Sequence, residues 1–134
     1  MPGIEVFFDT NVLLYLVGSE PRKADRAEAL LADGGNVSVQ VLNEFANVAR
    51  GKRALPWAAI HEILGVVRAL CRVHPLTVAT HDRACSIAQR HSFSLFDSLI
   101  LASALETGSR ILYSEDMQSG QIIERQLTVQ NPFR

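Results

Sequence analysis

Four carboxylates in this 134-residue sequence stand where a strand hands over to a helix or where an apolar helix has little room for charge: Asp9, Glu44, Asp97 and Asp116. Asp9 interrupts "VFFDTNVLLYL", between the strand-like Val6-Phe7-Phe8 and a second apolar run beginning at Val12. Asp116 follows "RILYS" in the run "SED", again at the carboxyl end of an expected strand. Asp97 lies in "SLFDSLILASAL". At about 100° per residue, Ile100, Leu101, Ala104 and Leu105 flank it on both sides, so the helix is apolar nearly all round and reads as buried. Glu44 borders the apolar face of "VQVLNEFANVA" made by Val41, Leu42, Phe45, Val48 and Ala49, on one stripe with Gln40 and Asn47. Each acid has a plainer reading. Asp9 or Thr10 would cap a helix, "SLFD" is a capping box led by Ser94, Asp116 suits a turn, and Glu44 suits a core boundary.

Convergence at one sheet edge would change the balance. Two like charges ~4 Å apart at an effective dielectric of ~20 repel by on the order of 4 kcal/mol. Such a cluster either takes up protons or holds a cation. Oxygen-only donors select a hard one, Mg²⁺ or Mn²⁺. Zinc has no support, because His61, His74, His81 and His91 show no HxH or HxxxH spacing, and Cys71 and Cys85 form no CxxC. Buried thiols in a reducing compartment are the expectation for both cysteines. No Ser–His or Cys–His pair offers a covalent route.

The elements that would bring these acids together alternate between strand and helix. Strands are expected at Ile4–Phe8, Asn36–Val39, Val73–Thr77, Arg110–Ser114 and Leu127–Val129. Helices are expected at Pro21–Ala32, Gln40–Arg50, Pro56–Cys71, Thr80–His91 with Thr80 as cap, and Ser94–Glu106. Gly34, Gly51 and Gly108 act as stops. That alternation implies an α/β fold, a parallel sheet of about four to five strands with helices on both faces, formed by one domain over residues 1–134. Ligands in such folds bind at the carboxyl ends of the strands, where Asp9 and Asp116 fall.

Composition narrows the function. With 48% hydrophobic and 20% charged residues the chain is expected to be globular, and no apolar run approaches the ~20 residues of a membrane span. No basic-then-apolar leader opens the sequence, so a cytoplasmic location is expected. The net charge of −1 means that any nucleic-acid contact must rest on a local patch. Arg50, Lys52 and Arg53 form the candidate, with a solvated loop as the alternative.

In their order, "DTNVLLYL", "LNEF", "SLFDSLILASAL" and "ILYSEDM" resemble the PIN-domain ribonucleases, most closely the small toxins of VapC-like toxin–antitoxin pairs, from Ile4 to about Asn131. The resemblance implies that Asp9, Glu44, Asp97 and Asp116 bind Mg²⁺ or Mn²⁺ and support RNA hydrolysis. It further implies polar support from Thr10 and Asn11, and a homodimer whose antitoxin lies over a groove near the site. Apolar surface for these partners is expected from Tyr15, Leu16, Val17 and the helix Pro21–Ala32. Where the family commonly carries Thr-x-Asp, this chain has Ser114-Glu115-Asp116. Ser114 keeps the hydroxyl and is expected to bond Asp9; Glu115 adds an acid beside the fourth position. A housekeeping RNA-processing nuclease is the alternative within the family. Outside it, a haloacid-dehalogenase phosphatase would need Asp where Asn11 stands, and a receiver domain would need a Lys that "ILYSED" lacks.

Overall fold

The computed structural model describes residues 5–134; Ile4, the expected start of the first strand, lies outside them. The strands are β1 (Val6–Phe8), β2 (Gly35–Ser38), β3 (Cys71–His74), β4 (Ile111–Tyr113), β5 (Ile122–Ile123) and β6 (Leu127–Gln130). The helices are α1 (Thr10–Leu14), α2 (Pro21–Ala32), α3 (Val39–Gly51), α4 (Trp57–Leu70), α5 (Val78–His91) and α6 (Leu95–Glu106), with a 3₁₀ turn at Tyr15–Val17 after α1. One sheet has the order β3-β2-β1-β4-β6-β5, parallel throughout except for the β5–β6 pair. Among the described residues six strands form it, one more than the upper expectation.

Local chemistry explains the shifted boundaries. The second strand begins at Gly35 rather than Asn36, because Gly35 already pairs with Cys71; the Phe8 ring lies so close that a Cβ there would meet its Cε2 at 2.5 Å. The third strand is Cys71–His74, not Val73–Thr77. It pairs with β2 from Gly35↔Cys71 to Ser38↔His74, and Pro75, lacking an N–H, ends the ladder. Thr77, not Thr80, caps α5. Its hydroxyl accepts the Thr80 N–H, while the Thr80 hydroxyl closes the capping box from the third helical position and donates to Glu106 Oε2 at 3.1 Å.

β1 lies at the centre of the strand order. From it the chain moves one way, through β2 to β3, then crosses back past β1 to β4 and β6. With right-handed crossovers the reversal sends α1–α4 to one face and α5–α6 to the other. Fully buried Phe7, Phe8, Phe45, Ile60, Ile87, Ile100, Leu101 and Leu112 fill the layers between. The reversal also opens a crevice between the carboxyl ends of β1 and β4, the place where α/β sheets seat ligands.

Candidate active site

Asp9 leaves β1 at that crevice. Its backbone N–H donates to Tyr113 O of β4 at 3.0 Å, which fixes it to the neighbouring strand. Its Oδ1 accepts the Thr10 N–H at 2.7 Å and so caps α1. Its Oδ2 accepts from Ser114 Oγ at 2.8 Å and Asn11 Nδ2 at 3.2 Å. Capping and facing the site are therefore compatible at this residue. Asp9 is only 5% exposed. Burial raises its carboxyl to about 6; the Ser114 and Thr10 hydrogen bonds pull it down, and the charges of Asp97 and Glu44 push it up.

Ser114, fully buried after β4, ties the site together. It donates to Asp9 and accepts the Met117 N–H at 3.2 Å, while Asn11 Oδ1 accepts the Glu115 N–H at 3.1 Å. The turn that presents Asp116 is thereby pinned to the start of α1. Thr10 divides its duties: its N–H serves Asp9, but its hydroxyl donates to Glu44 Oε2 at 2.6 Å. Gln40, one helical turn before Glu44 on α3, donates to Oε1 at 2.9 Å. The sequence places Gln40 on Glu44's stripe, but only the bond reveals its role.

Asp97 sits in the first turn of α6, half-buried, with its backbone N–H donating to the Ser94 cap at 3.1 Å. Burial raises its carboxyl, the Ser94 hydroxyl lowers it, and Asp116 and Glu44 raise it further. Asp116 is exposed at the rim. All four acids line one cleft of about 240 Å³, with Thr10, Asn11, Leu14, Asn47 and Val48 completing the wall. The wall residues Asn47, Val48 and Leu14 fall outside the residues singled out from the sequence; Asn47 shares Glu44's stripe, whereas Leu14 and Val48 carry no signal beyond that of ordinary core.

Glu115 turns away from the cleft. Lys23 Nζ donates to its Oε2 at 2.7 Å and the Tyr15 hydroxyl to its Oε1. Burial alone would raise its carboxyl, but these two donors hold it below the ordinary range. Arg50, Lys52 and Arg53 also lie outside the cleft, at and beyond the end of α3. Arg50 donates to Leu55 O at 3.2 Å and packs 5.6 Å from the Trp57 ring.

The donors fit a hard divalent cation in their chemistry. A carboxylate offers about four lone-pair directions; Asp9 uses three and Glu44 two, so both retain capacity. Among the described residues, however, no three His, Cys, Asp or Glu side chains are arranged to hold an ion as they stand. Closing the set onto one ion requires side-chain rotation, for which exposed Asp116 and half-buried Asp97 have the most room.

Residues 6–120 match the PIN domain family, so this chain belongs to that family. Its fold is shared with VapC20 of Mycobacterium tuberculosis, described as a Sarcin-Ricin loop cleaving toxin, at 21% identity over 83% of this chain and 89% of that one, TM-score 0.68. A toxin–antitoxin complex from Klebsiella pneumoniae matches at 18% identity over 95% and 97% of the two chains, TM-score 0.69. FitAB bound to an IR36 DNA fragment matches at 18% over 96% of each, TM-score 0.69. At these identities the likeness is one of fold. A comparison with curated proteins finds no match.

Proposed function

We propose that this chain is a divalent-metal-dependent endoribonuclease and the toxin of a toxin–antitoxin pair. The observation that carries the reading is the single cleft that Asp9, Glu44, Asp97 and Asp116 line at the sheet's reversal point. Membership of the PIN family and the fold likeness to VapC20 and the Klebsiella complex support it.

The four acids would hold Mg²⁺ or Mn²⁺, which when bound lowers the pKa of water and offsets charge on a phosphate. The chain's own residues supply position and proton transfer. Ser114 and Asn11 hold Asp9 in one rotamer, and Thr10 and Gln40 do the same for Glu44. With both Glu44 oxygens already accepting hydrogen bonds, Asp97 is the better acceptor for the proton of the attacking water. Its raised carboxyl suits it to that role.

Water attack makes a prediction about products. Single-stranded RNA incubated with the protein and Mn²⁺ should be cut without any 2′,3′-cyclic phosphate among the ends. A cyclic end would assign the attack to the ribose 2′-hydroxyl and remove the water-activating role of the acids.

A homodimer and an antitoxin belong to the same proposal, with the apolar surface shared between the expected Leu16 and α2 and the neighbouring α4. Tyr15, Leu16 and Val17 are half-buried against the core, and α2 turns Ala27, Leu30 and Leu31 inward. The exposed large apolar residues stand instead on α4, around the starts of α5 and α6, and on β5, led by Val78, Ile122 and Phe96. An antitoxin segment would lie in the apolar groove of about 360 Å³ between α2 and α4, walled by Leu16, Leu31, Ile63, Val66, Val67 and Leu70. Among the described residues no helix is long and apolar enough to cross a membrane. The proposed setting is the cytoplasm.

A further inference from the structure

A cleft lined by four carboxylates repels the phosphates it must cut, so RNA affinity has to come from cations beside it. Two adjoining cavities supply them. One, of about 780 Å³, is lined by Arg22, Lys23 and Arg26 of α2 together with Phe133 and Arg134. The other, of about 440 Å³, shares Ser19 and Glu20 with the first and is lined by Tyr15 and Arg53. The Arg53 guanidinium packs against the loop between them, with Nη1 3.3 Å from where a Gly18 Cβ would sit. The two cavities meet at the Ser19–Glu20 wall, and we treat them as one channel extending from Arg53, beyond the end of α3, to Phe133 and Arg134.

The channel is basic although the chain as a whole carries −1. Five of its 13 Lys and Arg side chains line it: Arg22, Lys23, Arg26, Arg53 and Arg134. The opposing acids are Glu20, in the wall, and Glu115, which Lys23 engages. Five cations less two acids leave a side-chain excess of three. The cavities come within one residue of the cleft along the chain at two points: Tyr15 follows Leu14 of the cleft wall, and Glu115, bonded by Tyr15 and Lys23, precedes Asp116.

We propose that this channel seats backbone phosphates of the RNA strand flanking the bond to be cut. The inference rests on the nuclease reading of the cleft. Recognition here is directed to phosphate rather than base. The aromatic rings in the wall, Tyr15 and Phe133, meet each other edge-on at 4.7 Å, and Lys23 lies 4.8 and 5.8 Å from their centres, so neither offers an open stacking platform. Binding through the channel is therefore tolerant of sequence and steeply dependent on salt.

The test is affinity for a labelled single-stranded RNA across a salt series, by fluorescence anisotropy in an Asp9→Asn background. Arg22→Ala with Arg26→Ala should weaken binding about tenfold at low salt. It should also flatten the log–log salt slope by ~0.7 for every phosphate the variant no longer neutralises. Arg26 Nε also donates to Pro132 O, so Arg22→Ala with Arg134→Ala, which among the described residues removes no side-chain hydrogen bond and only the longer-range pull of Arg134 on Glu115, serves as the second variant. Arg68→Ala with Arg72→Ala, at the far end of α4 and on β3, should change neither quantity. Unchanged affinity and slope in both channel variants would overturn the proposal and leave the nuclease reading intact. The proposal is equally overturned if an acidic peptide occupies the channel while RNA binding ignores both pairs, since the channel then serves a protein. Channel-dependent RNA binding with no cleavage by the wild-type protein would support the channel and sink the nuclease reading.

Discussion

Asp97→Asn should abolish RNA cleavage, by at least ~100-fold, while leaving the metal-free fold as stable as before or more so. The two readings of Asp97 separate here. The α6 cap is the Ser94 hydroxyl; Asp97 adds a charge near the helix N-terminus, worth about 0.3–1 kcal/mol, and a hydrogen bond with Ser94 that the amide oxygen can also accept. Against that stand the burial and the repulsion from Asp116 and Glu44 that raise its carboxyl, both of which the amide relieves. A purely structural Asp97 would show the opposite pattern, with a lower melting temperature and near wild-type turnover. Melting without metal and cleavage with Mn²⁺, on the same preparation, read both quantities.

Asp9→Asn should stabilise the metal-free protein at pH 7, and the gain should fade on acidification. The Asp9 carboxyl is raised from 3.8 to about 6 in the folded chain, first by burial. Between those values the folded state binds more proton than the unfolded one, so wild-type stability falls as pH rises through this window. A shift of about two units corresponds to on the order of 3 kcal/mol of penalty, complete above pH 6 and absent below about pH 4. The amide cannot ionise and escapes it; its Nδ2 cannot accept the bonds that Ser114 and Asn11 donate to Oδ2, so the net gain is smaller than the penalty removed. Added Mn²⁺ should reverse the order by stabilising the wild type far more than the variant. A variant that melts below wild type at every pH, with the same response to Mn²⁺, would make Asp9 a cap and nothing more.

Much of this was legible in the residues because two periodicities and four misplaced charges point the same way. Strand–helix alternation predicted the parallel sheet, and the acids at strand ends and on apolar helices marked the cleft. What escaped was set by tertiary contact. β5 is two residues long, and its turn to β6 uses Glu124 and Arg125 at φ 51° and 59°, positions without the Gly or Asn that signal such a hairpin. Thr77 and Thr80 are alike in sequence; only the capping geometry and the Glu106 contact tell them apart. Glu115 and Asp116 are adjacent acids with opposite fates, decided by Lys23 and Tyr15 from across the chain. Gln40 supports Glu44 through a bond that helical spacing permits but does not require. The exposed large apolar residues lie on α4, around the starts of α5 and α6 and on β5, while α2 contributes only one wall of an apolar groove, because which helix face a neighbour covers depends on packing rather than on local pattern.

On the function proposed above, the four acids cut RNA only with a divalent cation in their cleft. The most direct test is the initial rate of RNA cleavage by the wild-type protein as a function of free Mn²⁺, set by a chelator buffer from metal-free upward. The predicted curve starts at zero and rises to saturation, and returns to zero when excess chelator is added. A rate that persists at full strength in metal-free buffer would contradict the account.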